Sequence, residues 1–371
     1  MHKGETMGSI RRLGTLLGTA SLVLGTLTVA AATTTIPASA SSSFKACMVT
    51  DTGGINDKSF NASAWQGFHD AKAQNPNITI KNLSSTSTGD YVPNINSFIS
   101  QHCGIIVTVG FLMDKATTAA ANAHPSQKFA IVDDAPMTKS KNVLALQYET
   151  NQGAFLGGYL AAASSRTHTV ATFGGMDFST VDIYMNGFVA GVRYFNMINH
   201  KHVKVLGWIP KKGGNCTLIL CPGTGHFVGN FTDQIAGKTI TAGDFAAGAD
   251  IVFPVAGSVG LGSVTAAKQA GAGHHVLWVD SNACVSDHVD CSWFLGTVAK
   301  GVEPSVRDAV LAAASGKFHG GTYLGTLKNQ GTALEYGGVM IPAALKAKIS
   351  AIRAGIIAGR ISVDPNRYPA N

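Results

Sequence analysis

The side chains able to do chemistry in this 371-residue chain gather where apolar runs stop. Asp51 follows the run that begins at Phe44, Gly110-Phe111 follows residues 104–109, and Asp133-Asp134 follows 128–132. Gly174-Gly175, Gly257 and Asp280 end three further runs; Phe60 and Asn61 lie just beyond Asp51, Phe253 sits inside an apolar run, and Lys300 closes Val298-Ala299-Lys300. Carboxylates, an amide, an amine and aromatic rings can hold a small polar molecule by charge-assisted hydrogen bonds and stacking. Each residue also has a plainer use. Asp51 or Asp57 could cap a helix starting near Ser59, Phe253 could be core, and Lys300 could simply pair with Asp280. Catalysis has weaker grounds. The chain has no Gly-x-Ser-x-Gly elbow, no Gly-x-x-x-x-Gly-Lys-Ser/Thr loop and no His-Glu-x-x-His helix. Asp133-Asp134 could belong to a calcium-dependent hydrolase, but the usual aspartate cluster at an N-terminal strand end is absent.

The elements that must position these residues read as an alternation of strands and helices. Strand-like runs cover 44–50, 78–83, 104–109, 128–132 and 143–147, separated by helical spacing over 59–74, 91–100 and 115–123. The run at 104–109 is almost wholly apolar, as a strand covered on both faces requires. The pattern then restarts with a small-residue helix at 153–164, a strand at 170–173, a helix at 182–196 and a strand at 204–208. A helix near 232, a strand at 250–255, a helix at 261–269 and a strand at 275–279 follow. Such βα alternation predicts an α/β chain with two doubly wound, mostly parallel sheets. In sheets of that kind ligands bind beyond the carboxyl ends of the strands, where the residues above fall.

The chain's ends and composition narrow the class. Arg11-Arg12, the apolar stretch 13–32 and Ala38-Ser39-Ala40 predict a signal peptide over 1–40, cleaved near Ser41. No cysteine follows that point to accept a lipid, so the mature protein is expected outside the cytoplasm without such an anchor. At 45% hydrophobic and 13% charged the chain is globular and not disordered. The net charge of +7 falls to +5 once Lys3, Glu5, Arg11 and Arg12 leave, and no basic stripe suggests nucleic acid. No cofactor motif is present, and a monomer is expected.

An even number of cysteines in an exported chain favours disulfides. Cys216 with Cys221, and Cys284 with Cys291, flank short loops and read as local staples; Cys47 and Cys103 then pair by elimination. A zinc site would want CxxC-like spacing or close histidines, and only His226 and His288 are near.

The stretch Asp51-Thr52-Gly53-Gly54-Ile55-Asn56-Asp57-Lys58-Ser59-Phe60-Asn61, running on to Trp65-Gln66-Gly67, closely resembles the signature of the basic membrane protein (Bmp) family. That family contains PnrA-like purine-nucleoside receptors. Weaker matches follow in family order, including Val109-Gly110-Phe111, Ala130-Ile131-Val132-Asp133, Phe173-Gly174-Gly175-Met176-Asp177, Val279-Asp280-Ser281 and Val298-Ala299-Lys300. The resemblance implies a type I periplasmic-binding fold, two doubly wound lobes with a cleft between them. The crossings would lie near 148–152, 275–280 and 320–326. Lobe 1 would then comprise 44–148 plus 280–322, and lobe 2 would comprise 152–276 plus 326–365.

The implied role is the extracytoplasmic binding component of an ABC importer that hands a nucleoside to a membrane permease. A sensor, or a binder of a sugar or furanone, is the alternative. On this pattern Phe60 matches one stacking ring and Phe253 the opposite one, with Gly110 and Phe111 beside them. Asp51, Asn61 and Asp133 read the base edge or help close the site, Gly257 lets the backbone approach the sugar, and Asp280 and Lys300 meet its hydroxyls. Asn282 stands where relatives often carry a second aspartate, and the two cysteine loops resemble insertions beside the cleft.

Overall fold

A computed structural model describes residues 43–134, 141–214, 216–218 and 220–370; the expected signal peptide lies outside them. The first lobe begins with β1 (Phe44–Thr52), α1 (Phe60–Gln74), β2 (Ile78–Ser85), α2 (Tyr91–Ser100), β3 (Ile105–Val109), α3 (Asp114–Ala123), β4 (Phe129–Val132) and β5 (Val143–Tyr148). The chain then builds the second lobe from α4 (Thr150–Ser164), β6 (Thr169–Gly174), α5 (Ser179–Asn199), β7 (Lys204–Leu206), β8 (Trp208–Pro210), β9 (Gly223–Gly225), α6 (Gln234–Ala246), β10 (Ile251–Val255), α7 (Gly260–Ala270), β11 (His275–Asp280), α8 (Ala283–Ser286) and β12 (Phe294–Lys300). It returns to the first lobe for α9 (Val302–Ala314) and β13 (Gly321–Gly325), then to the second for β14 (Thr332–Tyr336) and α10 (Ala343–Ile357).

The sheet of lobe 1 runs β13-β5-β4-β3-β1-β2, all parallel. That of lobe 2 runs β14-β12-β11-β10-β6-β7, parallel except for the β14 edge. Strand order reverses between β1 and β3 in one sheet and between β6 and β10 in the other. These are the switch points at which an open α/β sheet leaves a crevice. The all-buried β3 confirms the reading of 104–109 as a strand covered on both faces. In lobe 2, α4 and α5 pack backbone to backbone. A side chain at Gly158 would strike the Phe188 carbonyl, and one at Gly191 would strike that of Phe155. The small-residue helix is therefore a close-packing device.

Two boundaries differ from expectation. The crossing placed at 275–280 is no crossing: β11 lies between β10 and β12 in the second sheet, with Val276, Leu277, Trp278 and Val279 buried. Residues 280–300 thus belong to lobe 2, and the chain crosses at Gly301. The three crossings run side by side, with Glu149 N–H donating to Gly325, Gly301 N–H to Gly331 and Thr332 N–H to Thr326. The strand expected over 204–208 also breaks, at Gly207, whose positive φ of 84° turns Trp208 into the separate β8–β9 hairpin. All three expected disulfides form: Cys47–Cys103, Cys216–Cys221 and Cys284–Cys291.

Candidate functional site

The two switch points face each other across a cavity that encloses about 650 Å³ of atom-free space, its mouth included. Lobe 1 supplies Asp51, Asp57, Phe60, Asn61, Gly110, Phe111 and Asp133 from the ends of β1, β3 and β4 and the start of α1. Lobe 2 supplies Phe178, Tyr184, Phe231, Gly257, Asp280 and Lys300. The strand-end geometry is shared. Asp133 and Asp280 hold φ of 69° and 64°, and Gly110 and Gly257 are also at positive φ. Non-glycine residues rarely adopt that conformation, which here turns the chain sharply at the sheet edge, where strain commonly marks function.

One end of the cavity is a charge cluster. Lys300 Nζ donates to Asp133 Oδ2 at 2.6 Å and lies 3.7 Å from Asp280 Oδ1, joining a lobe 2 cation to a lobe 1 carboxylate. The amine also sits 4.9 Å from the centre of the Phe60 ring and 5.1 Å from that of Tyr184. Asp280 accepts from Tyr184 O–H at 2.8 Å and Ser59 O–H at 2.9 Å. A carboxylate has about four lone-pair sites, so these bonds leave Asp280 capacity for a ligand hydroxyl. Burial raises the Asp133 carboxyl above its usual range, although the Lys300 charge works against the rise.

Deeper in lobe 1, Asp51 Oδ1 accepts from Asn61 Nδ2 at 3.1 Å. Burial pushes Asp51 up to about 8 despite that bond, with Asp57 and Asp133 adding to the rise. At neutral pH it therefore keeps its proton and can both donate and accept. Gly110 has no room for a side chain because the Asp51 carboxyl lies against its Cα. Asn61 Oδ1 is buried without a hydrogen-bond partner among the described residues. Asp57 serves as the cap of α1, accepting from the N–H groups of Ser59, Asn61 and Ala62 at 2.9–3.0 Å. Burial nonetheless lifts its carboxyl to about 6.

Another part of the lining is aromatic. Phe111 of lobe 1 meets Phe178 of lobe 2 at 5.2 Å between ring centres, and Phe178 meets Phe231 at 6.5 Å. Nine of the ten ligand-binding candidates line the cavity. Phe253 does not. It is fully buried in the lobe 2 core, stacked on Phe188 at 5.1 Å, and the expectation of a clamping ring at Phe253 is corrected. Its place two residues before the end of β10 keeps it inside the sheet. The rings that sequence reasoning missed are Phe178, Tyr184 and Phe231. Phe231 had no periodic signal, but the crowding of its ring against Gly175 shows that the glycine directly after β6 makes room for it.

Among the described residues, no group of acidic, histidine and cysteine side chains could hold a metal, and no helix is long and apolar enough to cross a membrane.

Comparisons with known proteins agree with this geometry. Residues 44–214 match the family model Bmp, described as ABC transporter substrate-binding protein PnrA-like. The ABC transporter nucleoside-binding protein BmpA of Lactococcus lactis subsp. cremoris is 30% identical over 335 residues, spanning 86% of this chain and 88% of that protein. A CD4+ T-cell-stimulating antigen of Listeria monocytogenes is 28% identical over 297 residues, 76% of this chain and 77% of that protein. Among solved structures, an ABC transporter system solute-binding protein from Aeropyrum pernix K1 superposes with a TM-score of 0.69 at 22% identity, covering 87% of this chain and 83% of that one. At that identity the likeness speaks for the fold.

Proposed function

Because this chain belongs to the Bmp family of PnrA-like ABC transporter substrate-binding proteins, we propose that its cleft captures a purine nucleoside. The family is one of extracytoplasmic binding proteins that serve a membrane permease, and not of enzymes. The observation that carries the finer reading is the division of the cavity into an aromatic wall and a carboxylate end. A nucleoside has the matching halves, a flat base and a ribose with vicinal hydroxyls.

In this reading the base lies between Phe60 of lobe 1 and Phe231 of lobe 2. Phe178 already has ring neighbours in Phe111 and Phe231, so it seals the wall and does not clamp. Protonated Asp51 and the unpartnered Asn61 Oδ1 offer a donor and an acceptor to the base edge. Asp280 accepts from the ribose hydroxyls, and Lys300 donates to one of their oxygens. The protein acts as a monomer, after loss of residues 1–40.

Calorimetric titration with inosine, guanosine, adenosine and the free bases tests this. Saturable binding of the nucleosides is expected, with Asp280→Ala weakening ribosides by about tenfold or more and free bases much less. A wild-type protein that binds none of these nucleosides overturns the ligand assignment and leaves the family untouched.

A further inference from the structure

Beside the cavity, next to the bond from Ser59 to Asp280, the lobes touch at a second place. The loop before α1 holds Lys58 at a positive φ of 55°, which turns its side chain and its carbonyl toward lobe 2. Lys58 Nζ meets Asp287 Oδ1 at 2.7 Å, with Asp287 largely buried and Lys58 about half exposed. The Lys58 carbonyl accepts from Ser281 O–H at 2.7 Å and from the Trp278 indole N–H at 3.4 Å. Neither Lys58 nor Asp287 lines the ligand cavity.

The lobe 2 side is built to hold this geometry. Cys284–Cys291 closes the loop that carries Asp287. Asn282 Oδ1 accepts from Val285 N–H, Asp287 N–H donates to the Ala283 carbonyl, and Ser281 Oγ bonds Ser286 Oγ at 3.2 Å. Asp280, at the ribose end of the proposed site, immediately precedes the loop, and Phe60 lies two residues beyond Lys58. The contact therefore ties together the two segments that carry a clamping ring and a sugar acceptor.

We infer that Lys58 and Asp287 form a clasp that holds the lobes closed independently of the ligand's own contacts, making both of them positioning residues for binding. The inference rests on the reading that the ligand sits between the lobes. A two-state protein binds with an apparent affinity scaled by the fraction of molecules in the competent state. The clasp raises that fraction without touching the ligand. Its loss should act on every ligand of the cleft alike and should appear mainly as faster dissociation.

The test compares wild type, Lys58→Ala, Asp287→Asn and the charge-swapped pair Lys58→Asp with Asp287→Lys. Small-angle X-ray scattering of the purified protein without added nucleoside reads lobe closure directly. Stopped-flow and calorimetry with inosine read binding, and thermal melts control for folding. The single variants should show a larger radius of gyration, with inosine binding about three- to tenfold weaker through faster dissociation. The swapped pair should recover part of both. Unchanged scattering and dissociation rate in the single variants would overturn the clasp, as would losses that follow lowered melting temperatures and are not recovered by the swap. Should wild type bind no nucleoside, the scattering comparison still decides the clasp while the ligand reading alone fails.

Discussion

At the scale of single residues the two phenylalanines of lobe 2 make opposite predictions. Phe231→Ala removes a proposed stacking face from a half-buried ring and should weaken nucleoside binding by about ten- to a hundredfold, with little change in melting. Phe253→Ala opens a cavity in the packed core beside Phe188 and Tyr184 and should cost about 3–5 kcal/mol of stability. Denaturant unfolding and calorimetry on the two variants separate the roles, and the reverse pattern would restore Phe253 to the clamp. The misreading has a physical cause. A ring in an apolar strand can point into a sheet's core or past its end, and only the distance to the strand terminus decides. Asp133 and Asp280 were legible because a carboxylate directly after a buried parallel strand has nowhere to go except the sheet edge. Phe231 was not, because it stands in a loop without periodicity, ahead of the helix cap Asp233.

At the scale of elements, the strand–helix alternation revealed five of the six strands of one sheet and four of the six of the other, since doubly wound strands are apolar on both faces and bounded by turns. It did not reach the later strands, β12, β13 and β14. The crossing near 275–280 came from the family resemblance, whereas β11 and β12 are neighbouring central strands of one sheet. What marks the true hinge is the packing of its crossings. A side chain on Gly331 would collide with the Cα of Gly325, so two backbones touch where the chain passes between lobes. Gly331→Ala should push these segments apart, destabilising the protein by about 1–3 kcal/mol and weakening ligand binding, because the lobes would no longer meet in register. Chemical denaturation with a parallel inosine titration checks both; a variant as stable and as tight as wild type would mean that the crossings have slack to absorb a methyl group.

For the molecule as a whole, the buried carboxyls set how stability varies with pH. Burial raises Asp51 and Asp182 to about 8, and Asp57 and Asp244 to about 6, from an unfolded value near 4. Between those limits the folded protein holds protons that the unfolded chain has released. Stability therefore falls as pH rises, through all four groups from about 4 to 6 and through Asp51 and Asp182 from 6 to 8. His275 opposes this. Burial lowers its folded value, so below about 6.5 the unfolded chain takes up a proton that the folded imidazole does not. Asp90, lowered by its bonds from Thr86 and Ser87, also acts in the opposite sense, but only below its unfolded value near 4 and so outside this range. Within this range that is one group against at least four, and each net proton changes stability by about 1.4 kcal/mol per pH unit. Scanning calorimetry at fixed ionic strength should find a melting temperature about 5 °C or more higher at pH 5.5 than at pH 8. The double variant Asp51→Asn with Asp182→Asn, which cannot ionise at either position, should flatten the slope above pH 6 and melt higher than wild type at pH 8. A wild-type melting temperature that is level or rises across this range would mean that the four carboxyls are ionised in the folded protein, and Asp51 could then offer a ligand only acceptor oxygens.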